Sequence, residues 1–128
     1  MSLDEILFVS HEIPDDEIRR LLKARGFSLT AKADFDLDLQ RLASKLAAIV
    51  VDLRAGDEAI NFITRIRENE TTKLLPVLVV GEWGSGLAAM ALSRGADAYE
   101  PTPLTALRLE SSIQRLLAKQ AVAAGVNS

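Results

Sequence analysis

Cysteine is missing altogether from this 128-residue chain, which excludes disulfides, thiolate metal centres and cysteine nucleophiles. Histidine occurs once, as His11. A lone histidine does not make a metal centre, which needs convergent ligands and second-shell partners. Aromatic residues are scarce at 5%, so the single tryptophan and tyrosine, Trp83 and Tyr99, stand out. No apolar run reaches the length needed to cross a bilayer, and no signal-peptide pattern is visible. An excess of positive charge is also lacking: the net charge of −3 weighs weakly against nucleic acid as a direct partner. Residues 81–86 contain three glycines, but no lysine follows them where a phosphate-binding loop requires one.

What is present is an ordinary globular composition, 48% hydrophobic and 26% charged, at a length that suits one domain with one adequate core. The expected organisation is a single domain over residues 1–128, structured from about 4 to 120, with a frayed tail or the start of a linker at 121–128. The chain centres on Ala47-Ala48-Ile49-Val50-Val51-Asp52, an apolar run that ends in a carboxylate. A continuous run of this kind reads as a strand covered on both faces, as in parallel sheets. Glu5–Val9 is a similar run. Pro14 and the acids Asp15, Asp16 and Glu17 open a first helix that carries Ile18, Leu21 and Leu22 and ends at Arg25-Gly26.

Phe27–Thr30 alternates apolar and polar residues and reads as an edge strand. Phe35, Leu39, Leu42 and Leu46 follow at helical spacing and predict a second helix. After a loop at 54–57 comes a third helix, with Ala59, Ile60, Ile63 and Ile66 on one face, to about Asn69. Leu75–Val80 is the fourth strand, with Pro76 tolerable at its beginning. Residues 81–86 form a glycine-rich loop, 87–94 a short fourth helix closed by Gly95, and 97–100 a short last strand. Pro101-Thr102-Pro103 precedes a fifth helix that carries Leu109, Ile113, Leu116 and Leu117.

Five strands alternating with five helices predict a three-layer α/β fold. Strands 1, 3 and 4 are the most apolar and belong in the centre, so the order is 2-1-3-4-5, the flavodoxin-like arrangement, with helices 1 and 5 on one face. Asp52 then lies at the carboxyl edge of the sheet, where such folds place their chemistry. Taken alone, an aspartate there is more often a turn or cap residue.

The order and spacing of Ile6–Val9, Ile49–Asp52, Leu75–Val80 and Gly95-Ala96-Asp97-Ala98-Tyr99, with Pro103 following, resemble the receiver domain of two-component response regulators, the CheY-like family. The resemblance runs from about Ile6 to Gln120. It implies that Asp52 is the phosphoryl acceptor for a histidine kinase, in a bacterial, cytoplasmic phosphorelay protein that is not itself an enzyme. Two anions must meet in that reaction, so a divalent metal holds and neutralises them. The acidic pair that binds the metal falls on Ser10 and His11. The lysine that contacts the phosphoryl oxygens falls on Thr102, and the sensing hydroxyl at the end of strand 4 falls on Gly81, with Ser85 the nearest hydroxyl in sequence. The switch aromatic is retained as Tyr99. The acceptor is therefore present in altered surroundings, the pattern of a degenerate receiver that works by protein–protein contact.

In this reading no metal or other cofactor is expected. Glu12, Asp52 and the carbonyl of Arg54 make at best a poor magnesium site. If that site works, the alternative is a functional phospho-receiver built on Glu12 or Asp15. If the side chain of Arg54 folds back, its guanidinium pairs with Asp52, stands in for the missing cation and lowers the carboxylate pKa. Its other reading is an exposed loop arginine. Trp83 between glycines is placed on the surface as an interface residue, with Tyr99 near it. The expected partners are a histidine kinase or another signalling protein, and a second copy across helix 4, strand 5 and helix 5. Neither nucleic acid nor membrane is expected. A small flavodoxin-like enzyme or ligand-binding domain is a distant third reading, without a nucleotide fingerprint or a nucleophile–base pair to support it.

Overall fold

The computed structural model describes residues 3–42 and 45–123. Five strands alternate with five helices: β1 Asp4–Val9, α1 Asp16–Ala24, β2 Phe27–Lys32, α2 Leu39–Leu42, β3 Leu46–Asp52, α3 Asp57–Glu68, β4 Val77–Gly81, α4 Leu87–Ser93, β5 Ala98–Pro101 and α5 Ala106–Ala123. All pairings are parallel and the order is β2-β1-β3-β4-β5, as the apolarity of the strands predicts.

The sheet is covered on both sides, and side-chain alternation along each strand sorts residues between the two layers. Ile6, Phe8, Ala48, Val50, Leu78 and Val80 pack under α1 and α5, against Ile18, Leu22, Leu109 and Ile113. Leu7, Val9, Ile49, Val51, Val77 and Val79 pack against α3 and α4, through Ile60, Phe62, Ile63 and Ala91. The central strands are buried almost throughout, which explains their unbroken apolar sequence.

The second helix departs from its predicted extent. Only Leu39–Leu42 is helical, while Phe35 lies in the preceding loop and Leu46 opens β3. Phe35, Leu39 and Leu46 all feed the same core layer. A loop, a helical turn and a strand start converging on one core can mimic a helical stripe, because periodicity reports the buried side and not the backbone. The side chain of Leu42 lies outside the described residues.

Residues 121–123 continue α5, and 124–128 lie outside the described residues. Pro14 sits ahead of α1, whose N-cap is Asp15, accepting from the Glu17 N–H at 3.1 Å.

Candidate functional site

The carboxyl ends of β1 and β3 lie side by side, with Val9 opposite Val51. The next residues, Ser10 and Asp52, are therefore neighbours, and both are 3% exposed. The Ser10 hydroxyl donates to Asp52 Oδ2 at 2.7 Å and accepts from the Glu12 N–H at 3.1 Å.

β3 ends because Asp52 caps a 3-10 turn over Leu53–Ala55, accepting from the Arg54 backbone N–H at 3.0 Å. Leu53 is 1% exposed and plugs this turn into the core, which presents Arg54 at the sheet edge. The Arg54 side chain folds back onto Asp52. Its Nε donates to Oδ1 at 3.0 Å and to Oδ2 at 3.2 Å, and its Nη2 donates to Oδ2 at 2.8 Å. Nη2 also lies 3.3 Å from Glu12 Oε2, so one guanidinium bridges two carboxylates.

The electrostatics follow from this geometry. Burial pushes the Asp52 carboxyl upward, but the Arg54 guanidinium, the Ser10 hydroxyl and the Arg54 backbone N–H outweigh it and hold the pKa below the ordinary carboxylate value. Arg54 is in turn raised, chiefly by its hydrogen bonds to Asp52.

The other sequence-selected residues are distributed around this pair. Thr102 donates its backbone N–H to the Gly81 carbonyl at 2.9 Å, and its side chain shares with Ser10, Glu12 and Arg54 a cleft of about 200 Å³. Ser85 lines a second cleft of about 210 Å³, with Leu53, Arg54, Glu82 and Leu87. Asp15 is spent on capping α1. Tyr99 donates its hydroxyl to the Gly81 carbonyl at 3.1 Å and stacks on Trp83, ring centroids 6.4 Å apart. Trp83 itself is 81% exposed. Gly81 faces Leu53: a Cβ added there would lie 3.0 Å from Leu53 Cβ, so a larger residue must displace that side chain.

Two contacts escape a reading of the sequence. The Ser10–Asp52 hydrogen bond spans 42 residues, although the strand parity of Phe8 and Ser10 against Val50 and Asp52 carries a signal for it. His11 faces two acceptors, the Ala33 carbonyl at 3.0 Å from Nδ1 and Glu58 Oε1 at 3.1 Å from Nε2. Its ring also meets Phe35 edge-on. Glu58 raises the His11 pKa most, with the Ala33 carbonyl adding to it. No sequence motif marks that contact.

No protein family's sequence profile matches the chain, and no curated protein matches it. Solved structures do match. The CheY-like receiver domain protein of Methanospirillum hungatei JF-1 aligns with a TM-score of 0.78 at 21% identity, over 95% of this chain and 99% of that one. This is the receiver fold. The chemotaxis response regulator CheY4 of Vibrio cholerae gives 0.76 at 18% identity, over 90% of this chain and 99% of that one. NtrX of Brucella abortus gives 0.79 at 22% identity, over 98% of this chain but only 28% of NtrX, so the chain spans little more than a quarter of that regulator.

A receiver of the phosphorylated kind implies a divalent ion at this edge. The residues here do not fit one. Both Asp52 oxygens accept several donors, the neighbouring Ser10 is itself a donor to that carboxylate, and the space in front of Asp52 holds a guanidinium. Among the described residues no three His, Cys, Asp or Glu side chains converge.

Proposed function

We propose that this chain is a receiver-type signalling module of two-component phosphorelay systems, one domain, in which phosphorylation at Asp52 is impaired and the output is protein–protein contact. The observation that carries the reading is the closed state of Asp52. Its carboxylate is buried and held by Ser10 and by the side chain and backbone of Arg54. An attacking carboxylate needs a free oxygen and a cation to offset the incoming phosphoryl charge. Here both oxygens are occupied, and Thr102 supplies no charge where the receiver pattern has lysine.

The partner surface in this reading is α4, β5 and α5. Trp83 supports it, being exposed while resting on Tyr99, as do the exposed Met90 and Leu92 of α4, a helix without a charged residue. Glu100 ties β5 to α5. Burial works against its charge, but Ser112 and Arg108 hold its pKa below the ordinary value. The partner is a histidine kinase or another signalling protein, or a second copy of the chain. Among the described residues no helix is long and apolar enough to cross a membrane.

The test is intact mass after treatment with acetyl phosphate and magnesium, for the parent and for Asp52→Asn. The expected result is no stoichiometric mass gain. A gain that disappears in Asp52→Asn would overturn the reading and establish a working phospho-acceptor. For the surface, Trp83→Ala and Tyr99→Ala are expected to weaken association while the fold persists.

A further inference from the structure

We infer that the Arg54 guanidinium is the resident counter-ion of this site, bridging Asp52 and Glu12 in the place that a divalent cation would have to take. The inference rests on the reading that phosphoryl transfer at Asp52 is impaired, and it names the cause.

The two occupants exclude each other. A magnesium-type ion bound by Asp52 would sit roughly 2.1 Å from a carboxylate oxygen, in front of the carboxylate. Arg54 already places Nε and Nη2 there, 2.8 to 3.2 Å from the two oxygens. A guanidinium is permanently charged and its fork matches a carboxylate, so it cannot be neutralised to make room. Glu12, the second carboxylate that a cation could use, lies 3.3 Å from the same Nη2.

The guanidinium is also delivered locally. Arg54 is two residues from Asp52, on a turn that Asp52 caps and that Leu53 anchors in the core. Its effective concentration at the carboxylate is high for that reason, whereas a free cation must compete from solution. Magnesium gives up its waters reluctantly, which weakens that competition further.

Position adds a second consequence. Arg54 lines both clefts at the sheet edge, the one with Ser10 and Thr102 and the one with Glu82 and Ser85. The side chain that neutralises Asp52 is therefore also part of the wall of each cleft. The altered residues at Ser10 and His11 leave two carboxylates at this edge, and the chain fills the gap between them from within.

The experiment is a Mn²⁺ titration followed by electron paramagnetic resonance on the parent, Arg54→Gln and Arg54→Ala, each with and without Asp52→Asn. The parent is expected to take up no Asp52-dependent Mn²⁺. Either folded Arg54 variant is expected to bind one ion, on the order of tenfold or more tighter than the parent, because removing a unit charge at contact distance removes both competitor and repulsion. That binding should vanish with Asp52→Asn and weaken with Glu12→Gln. Circular dichroism confirms folding, and Arg54→Gln decides if Arg54→Ala does not fold. A measurement on the parent alone is independent of both variants: the Arg54 Nε–H proton resonance should be resolved and unchanged by magnesium. Asp52-dependent Mn²⁺ uptake by the parent, a folded Arg54→Gln that takes none, or a magnesium-sensitive Nε–H signal would each overturn the inference. Phosphoryl uptake by the parent overturns the preceding reading instead, and no cation titration reports on that.

Discussion

Removing Arg54 should destabilise the fold in a way that depends on the charge of Asp52. In Arg54→Ala, three side-chain hydrogen bonds to the carboxylate disappear, two of them at 3.0 Å or shorter. A hydrogen bond to a charged group contributes ~1.5–3 kcal/mol, and breaking a buried ion pair from one side costs ~3–5 kcal/mol. Two features reduce that cost. The Arg54 side chain is 40% exposed, so solvent screens the pair, and the Ser10 hydroxyl and the Arg54 backbone N–H remain bound to Asp52. One feature maintains it: the Asp52 side chain is 4% exposed and cannot readily recover water. The balance is about 2 kcal/mol, or about 7 °C in Tm for a chain of this length.

The decisive comparison is a double-mutant cycle by chemical denaturation. In the Asp52→Asn background the carboxylate charge is gone, so Arg54→Ala should cost at least about 1 kcal/mol less than in the parent. The pH dependence provides a second test. The folded Asp52 pKa lies below its unfolded value of about 3.8, so the pair's contribution is complete above that pH and is lost as pH falls through the folded pKa. Without the guanidinium, burial is opposed only by the Ser10 hydroxyl and the Arg54 backbone N–H, so the folded pKa is higher than in the parent and protonation relieves the variant more readily. Both effects make the deficit of Arg54→Ala largest near neutral pH and smaller below about pH 4. Equal costs of Arg54→Ala in the parent and in Asp52→Asn, or a deficit independent of pH, would refute the argument.

Three further outcomes follow from other contacts. Arg67 donates to the carbonyls of Lys73, Leu75 and Gly95 and to Asp97, and a Cβ at Gly95 would lie 2.7 Å from Arg67 Cγ at a backbone φ of +118°. Arg67→Ala and Gly95→Ala should each lose ~2 kcal/mol or more in urea unfolding. Gly81→Thr, which would place a hydroxyl at the end of β4, should instead lower Tm, by an amount corresponding to ~1–3 kcal/mol, because Leu53 must move aside. His11 should titrate above its ordinary value of 6.5 by NMR, and Glu58→Gln should bring the midpoint down. Because the folded pKa is the higher one, the stability this contact adds is present below pH 6.5 and disappears as pH rises through the folded value.

The fold was legible because its determinants are local and repeated. The unbroken apolar strands ending at Val9, Asp52 and Val80 announce burial on both faces, and the alternating Phe27–Thr30 announces an edge. Helix 2 misled because Phe35, Leu39 and Leu46 are buried together without sharing a helix. At the site, the strand end and its carboxylate are legible in the sequence, but the direction of the Arg54 side chain is not. That direction is set by the 3-10 turn and by Leu53 in the core, a tertiary constraint that spacing does not encode. The role of the Ser10 hydroxyl as a donor is not legible in the sequence, since it depends on the register between β1 and β3.

That register bears on how much weight a strand-end aspartate can carry as a functional marker. Asp52 does three structural tasks here. It caps the 3-10 turn that ends β3, it accepts the buried Ser10 hydroxyl, and it neutralises the arginine that the turn presents. Only the last of these tasks needs an ionised carboxylate at position 52, the first two need a side-chain acceptor there, and none requires phosphorylation. An alanine there would leave the Ser10 hydroxyl and the Arg54 guanidinium without their acceptor at the sheet edge, so the residue has reason to be aspartate on stability grounds alone. The carboxylate and the residues around it are thus compatible parts of one arrangement: the charge of Asp52 is satisfied by a side chain two residues away. The quantity that separates structure from signalling at this site is therefore the cation affinity of Asp52 with and without Arg54, and not the identity of residue 52.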